Sequence, residues 1–278
     1  MLRISVLMEN KASSDTFACE HGLSFLLESE NTLILFDTGQ SPAFLDNARR
    51  MGVDLSPVTE IVLSHGHYDH TGGLAAALKT IRENRDPGSL PRLYAHPDIL
   101  LERRRPPSHP QGEKDIGIPA DGREALDAWP VTYSRKPVWL RDTIVFLGEI
   151  PHARPEMCAL VGEAKTPQGY VRDSLHDDTA VAYITEKGLI IVAGCSHSGI
   201  LNIVDHAKAV TGVSTIHAIY GGLHCKDMQP ETVKHVIDAL ATENLKEICA
   251  FHCTGDALDT FPGQIRLAAG ETHTVKWS

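Results

Sequence analysis

Apolar residues recur along the chain at strand spacing and at helix spacing by turns, and this pattern predicts most of its elements. Residues 1–8 read as an opening strand. Residues 23–27 and 32–36 read as paired strands, with Ser29-Glu30-Asn31 supplying the turn between them. Asp37-Thr38-Gly39 ends the second strand, and Ser41 and Pro42 then stand as N-cap and first position of a helix that stops at Gly52. Residues 60–63 form a short buried strand, and 71–79 a helix of small residues. Regularity returns late in the chain. Residues 179–185 and 188–193 predict a hairpin, 200–210 an amphipathic helix, 214–220 a strand, 230–240 a helix and 245–251 a strand.

Between these halves, residues 86–141 break the pattern with Pro87, Pro91, Pro97, Pro106, Pro107, Pro110 and Pro119. A loop of that length inside a compact domain is usually functional, so it reads as an irregular insertion covering a site within one domain, 1–278. Both halves run strands and then strand–helix units. Two sheets packed face to face with helices outside them follow from that order.

Composition narrows the class. With 42% hydrophobic and 22% charged residues the chain is ordinary globular material. It has no run of about 18 apolar residues, so no membrane span is expected. The first residues lack a signal-peptide core, which makes the cytoplasm the expected location. A net charge of −10 argues against nucleic acid or anionic membrane as partner. Arg103-Arg104-Arg105 is a local exception, read either as a solvated loop or as a clamp for an anionic substrate. Six cysteines without a CxxC pair read as reduced thiols. No P-loop, Gly-x-Gly-x-x-Gly or His-Glu-x-x-His is present.

The chemistry is carried by histidine. Of fifteen histidines, three fall with one aspartate in six residues, His65-Gly66-His67-Tyr68-Asp69-His70, between a buried strand and a helix. Residues two apart in extended chain point the same way, so His65 and His67 converge on one ion. The turn that follows swings Asp69 and His70 toward a second. Imidazole and carboxylate donors suit zinc, iron or manganese.

His65-x-His67-x-Asp69-His70, with Asp37-Thr38-Gly39 upstream, resembles the signature of the metallo-β-lactamase fold superfamily. Gly194-Cys195-Ser196-His197-Ser198-Gly199 and Phe251-His252-Cys253-Thr254-Gly255 resemble a narrower branch of metal-dependent hydrolases. Some members of that branch are described as 7,8-dihydropterin-6-methyl-4-(β-D-ribofuranosyl)aminobenzene-5'-phosphate synthases. The resemblance implies an α+β fold, a four-layer αββα sandwich, with the metals at the edge of the two sheets. It also implies that His65 and His67 bind one ion and Asp69, His70 and His252 a second.

The middle of the signature departs from the superfamily pattern. A third histidine is expected before a hairpin and a bridging Asp after it. Here His176 and Asp178 occupy the first place, while Gly194-Cys195-Ser196-His197 occupies the second without an Asp. His197 is the expected replacement ligand, Asp178 and His176 are alternatives, and Cys195 reads as a buried structural cysteine unless it ligates as thiolate. The number of ions, one or two, stays open. Asp37 fits a carboxylate orienting a ligand histidine. Glu20-His21-Gly22 could reach the site mouth. Gly221 and Gly222 would let a ligand approach the backbone, and His224 would contact substrate.

The implied function is a metal-dependent hydrolase directing metal-bound hydroxide at an ester or phosphoester, with Asp69 receiving the water's proton. The substrate would be a small molecule, anionic or phosphorylated. A transferase joining a pterin to a phosphorylated ribofuranosyl-aminobenzene and a non-catalytic metal-containing sensor are the alternatives. Gly194-Cys195-Ser196-His197-Ser198 also has the setting of a serine-hydrolase elbow, but that motif needs Gly at its fifth position, where this chain has Ser198.

Overall fold

The computed structural model describes residues 1–226, 228–259 and 261–277. Three apolar slabs divide it into four layers. Gly188–Ala193 shows how: Leu189, Ile191 and Ala193 face a slab shared with the helices Ile200–Thr211 and Pro230–Thr242, while Ile190 and Val192 face the slab between the sheets. Period-2 alternation feeds both slabs from one strand. A strand buried on both faces reads as a continuous apolar run. On the other side, Leu35 and Leu26 point at a third slab with the helices Ala43–Arg50 and Leu74–Glu83, while Ile34, Phe36, Phe25 and Leu27 point inward.

The first sheet is ordered Thr272–Val275, Leu2–Met8, Ser24–Ser29, Thr32–Phe36, Glu60–Val62, Arg92–Ala95 and Val131–Tyr133. The second is ordered Gln264–Ile265, Glu247–Phe251, Ile216–Gly222, Gly188–Ala193, Ala180–Thr185, Ile144–Phe146 and Val138–Arg141. Phe25 of one sheet meets Phe251 of the other edge-to-face at 5.0 Å. Burying each such ring contributes about 1.5–3 kcal/mol, so the inter-sheet slab is what holds the two halves together. No helix of the described residues is long and apolar enough to cross a membrane.

The stretch 86–141 is more regular than its prolines suggest. Arg92–Ala95 and Val131–Tyr133 extend the first sheet, Val138–Arg141 edges the second, and Ala120–Asp127 is a helix. Its covering part is Arg103–Arg105 with Lys114–Asp115, which pair with Glu163–Thr166 and Gly169–Arg172 in a small third sheet. Elsewhere the boundaries shift. The helix predicted over 71–79 is two, Tyr68–Thr71 and Leu74–Glu83. The helix after Ser41 begins one residue later, at Ala43, with the Ser41 hydroxyl accepting the Ala43 amide at 3.2 Å.

Candidate metal centre

Five strands end on one rim. Thr32–Phe36 and Glu60–Val62 deliver Asp37 and the His65–His70 segment from the first sheet. Gly188–Ala193, Ile216–Gly222 and Glu247–Phe251 deliver Cys195–His197, His224 and His252 from the second. All five run parallel to their neighbours on this rim. Of seven non-glycine residues with positive φ among those described, Asp37 (56°), Ser196 (57°), His224 (46°) and His252 (54°) sit here. Left-handed backbone turns each side chain back across its strand end. Such strain is held in place only where the surroundings fix it.

Among the described residues, the donor atoms of His65, His67 and His197 lie within 4.8 Å of one another, and so do those of Asp69, His70, Cys195 and His252. Cys195 also groups with His197 and His224. Its sulfur therefore lies between the two sets.

The imidazoles are oriented from outside. His65 Nδ1 donates to Ser64 Oγ at 2.9 Å, and Ser64 Oγ donates to Asp37 Oδ2 at 2.6 Å. His70 Nδ1 donates to the same carboxylate oxygen at 2.7 Å. His197 Nδ1 donates to the Ala159 carbonyl at 2.9 Å, and His252 Nδ1 to Asn10 Oδ1 at 2.8 Å. Each outer nitrogen is thus fixed as the donor, which turns the Nε2 lone pair inward. His197 Nε2 is buried without a hydrogen-bond partner among the described residues. His65 Nε2 and His67 Nδ1 face each other at 3.1 Å, and His252 Nε2 faces Asp69 Oδ2 at 3.0 Å. Ring nitrogens, a carboxylate and a thiol converging from several strand ends, with His197 Nε2 left unpaired among the described residues, are the donor set a cation satisfies. The residues fit a metal.

Electrostatics separates the two groups. Burial, reinforced by neighbouring histidines, holds the His65 and His197 imidazoles well below their ordinary range. Burial also lowers His67, to about 3. His70 is different: burial opposes its charge, but Asp37 and Asp69 outweigh burial and raise it to about 9. Asp69 is likewise disfavoured by burial, yet His70 and His252 hold its carboxyl well below the carboxylate range. Burial pushes the Cys195 thiol well up, and Cys253 beside it adds to the shift. Ligation to a metal would deprotonate that thiol.

Around the donors lies a cleft of about 270 Å³, lined by Asn10, His21, Tyr68, Ile116, Val161, His224, Lys226 and Cys253 besides the ligand candidates. His21 Nε2 is 3.3 Å from Asp69 Oδ2, with its ring 4.4 Å from that of His252. His224 stacks tilted on His197 at 4.4 Å. Glu20 lies beside the site, not in it, accepting the Gln40 and Ser41 amides.

Several expectations fail here. The three arginines do not form a substrate clamp. Arg103 is 2% exposed and pairs with Asp173 at 2.6 Å and Asp177 at 2.7 Å. Arg104 pairs with Glu113 and Glu163, and Arg105 with Gln111 and the Gly112 carbonyl. Asp177 Oδ2 in turn accepts the Gly66 amide at 2.8 Å, so Arg103 braces the His65–His67 turn from behind. A Cβ at Gly66 would lie 2.4 Å from the Ile99 carbonyl oxygen. His176 is half exposed, 3.7 Å from Glu149 and stacked on His152. Asp178 is buried outside the donor groups, where it accepts the Ser198 amide at 2.9 Å. Gly221 and Gly222 approach protein, not ligand: Cβ atoms there would meet the Ala193 carbonyl oxygen at 2.2 Å and Cys253 Sγ at 2.6 Å. Sequence reasoning gives no role to Glu9, Asn10, Ser64, Asp177, Lys226 and Cys253. Ser64, Asp177 and Cys253 carry a local signal, being next to His65, Asp178 and His252.

This fold and this rim of donors define the family. The sequence profile of the Metallo-beta-lactamase superfamily matches residues 18–201, and the chain belongs to that superfamily. It is 34% identical over 266 residues to the 7,8-dihydropterin-6-methyl-4-(beta-D-ribofuranosyl)-aminobenzene-5'-phosphate synthase of Methanocaldococcus jannaschii, covering 91% of this chain and 88% of that one. An uncharacterised protein of the same organism is 30% identical over 256 residues, covering 91% and 90%. A solved metal-dependent hydrolase of the beta-lactamase superfamily superposes with a TM-score of 0.82 at 26% identity, over 99% of both chains. Human tRNase Z, short form, shares the fold, with a TM-score of 0.58 at 10% identity over 99% of this chain and 100% of that one.

Proposed function

We propose that the chain is a metal-dependent hydrolase of a small ester or phosphoester. His65, His67 and His197 would hold one divalent ion and Asp69, His70, Cys195 and His252 a second. One observation carries the reading: four site imidazoles donate their outer N–H to fixed acceptors and aim the remaining lone pairs at shared points. Zinc fits such donors best, and iron or manganese is the alternative.

Bound there, divalent ions lower the pKa of coordinated water from 15.7 toward about 7 and polarise a carbonyl or phosphoryl oxygen. The chain supplies the rest. Asp69, kept ionised by His70 and His252, accepts the proton that nucleophilic water gives up. His21, 3.3 Å from Asp69, carries that proton on toward the cleft mouth. His224 stands at the rim to contact the substrate's reacting end. Tyr68, held under the Lys114 ammonium at 3.7 Å, closes the opposite wall with Ile116 and excludes bulk water.

A second reading has its own support. The 34%-identical relative is described as a synthase, so the same donors could serve a condensation of two substrates. Assay of purified protein on bis(p-nitrophenyl) phosphate and p-nitrophenyl acetate, before and after chelation, tests the first reading. Turnover lost on chelation and restored by zinc or manganese is expected. Undiminished turnover by metal-free protein would overturn it. Metal-loaded protein inert on all esters but joining an aromatic amine to a pterin would favour the second.

A further inference from the structure

The metal cleft is not a closed bowl. It shares Asn10, Lys226 and His252 with a neighbouring cavity of about 230 Å³, and Val161 and His224 with another of about 440 Å³. Two branches therefore leave the donors in different directions. The Val161 branch is walled by Ala159, Leu160 and Met228 together with His109, Glu156 and Arg172. The Lys226 branch is walled by charged groups, Glu9, Lys11, Asp256, Asp259 and Arg266 besides Lys226, and half of the six are engaged. Arg266 pairs with Asp259 at 2.8 Å, and Glu9 accepts the amides of Lys11 and His252. Asp256 lines this branch but not the metal cleft.

Lys226 lines both. It is exposed, and among the described residues it makes no ion pair. Its position is set by the segment that delivers His252: its amide donates to the Cys253 carbonyl at 3.3 Å, and its Cβ lies 3.5 Å from where a Cβ on Gly255 would be. A fixed backbone carries the Lys226 ammonium, unpaired among the described residues, to the boundary between the metal cleft and the charged branch. On a chain of net charge −10, a lysine so placed beside a dication pair would draw an anion out of bulk solvent.

We infer that Lys226 forms an anion subsite next to the metal centre, so that the substrate carries a phosphoryl or carboxylate group apart from the bond that reacts. That group points into the Lys226 branch, and the apolar remainder lies against Val161, Leu160 and Met228. The inference rests on the metal-centre reading and assigns a direction to the substrate within it. It also replaces the arginine run as the source of anion recognition, since those guanidiniums are taken.

Titration calorimetry of phenylphosphonate, benzoate and benzyl alcohol onto zinc-loaded protein tests it, with wild type beside Lys226→Ala and Lys226→Arg and zinc counted in each. We expect phenylphosphonate binding to weaken about tenfold in Lys226→Ala and to stay within about twofold in Lys226→Arg, with benzyl alcohol unchanged and zinc content equal. A parallel loss of benzoate assigns the subsite to compact anions generally, and its absence assigns it to phosphoryl groups. Wild-type affinity in Lys226→Ala at full zinc content would overturn the inference, because the ions alone would then hold the anion. Zinc lost along with affinity would overturn it too, by making Lys226 a structural residue. Protein that takes up no zinc would sink the metal-centre reading, while a Lys226-dependent phosphonate affinity in that protein would still support the subsite.

Discussion

The two donor groups share a rim, with the Cys195 thiol of the second within reach of His197 of the first, but are built on opposite electrostatic terms. His65, His67 and His197 lie in a desolvated pocket where burial suppresses their basicity, with neighbouring histidines adding to the effect. Asp69, His70 and His252 sit in a web of carboxylates, where Asp37 and Asp69 overcome burial and raise His70 to about 9. Their supports differ as well. Ser64, the Ala159 carbonyl and the Arg103–Asp177–Gly66 chain brace the first, Glu9 and Asn10 brace the second, and Asp37 reaches both, directly at His70 and through Ser64 at His65. The difference teaches that the first group offers nitrogen lone pairs to an ion that must bring its own charge, while the second already holds charge for an ion to compensate.

Separate removal should break the pair most visibly. His67→Ala is expected to empty the first group and spare the second, and His252→Ala the reverse, as read by metal per chain. Activity should fall more than about a hundredfold in either, since even outer partners of a ligand cost about 10–100-fold. Loss of all metal from both variants would show instead that the groups cannot be filled independently.

Arg103→Leu should come next, acting on stability. It leaves Asp173 and Asp177 buried without their cation, which costs about 3–5 kcal/mol and lowers the melting temperature by about 10 °C. An unchanged melting temperature would mean that the brace behind His65 and His67 is dispensable. Asp37→Asn keeps the shape but weakens the acceptor shared by His70 and Ser64. Metal affinity of the second group should drop about 10–100-fold in competition with a chelator, with a smaller loss at the first group, which Asp37 reaches only through Ser64.

The smallest effect concerns pH. Burial raises Asp178 to about 7 from an ordinary value near 3.8. Between those values the folded chain keeps a proton that the unfolded chain has lost, so stability falls as pH rises through the window, and the penalty is complete above about 7. Asp178→Asn should remove a slope of a few degrees from melting temperatures measured between pH 4 and 7. An identical slope in the variant would assign it to other groups.

Much of this was legible before the structure because the signal was local. Four donors in six residues need no distant partner to be noticed, and strands such as 32–36 and 188–193 announce themselves as short continuous apolar runs. What escaped depended on contacts far apart in sequence. Arg103 looks like part of a solvated basic run, and only Asp173 and Asp177, some seventy residues on, explain its burial. Cys195 among apolar neighbours reads as core until His70 Nε2 appears 3.1 Å from its sulfur. Arg92–Ala95 and Val131–Tyr133 are too short, among prolines and glycines, to show a period.

One contact has a consequence for how the molecule comes into being. His252 is oriented by Glu9 and Asn10, which follow directly from the strand Leu2–Met8. That strand is in turn zipped to Thr272–Val275. A nascent chain can display His65 to His70 long before the last of these partners has been synthesised, but it cannot display the finished site. Tight capture of an ion at the His252 group would therefore wait until residues 272–275 have been made. Metal uptake would then act as a ratchet on folding, because an ion bound only by the closed form stabilises that form in proportion to its affinity.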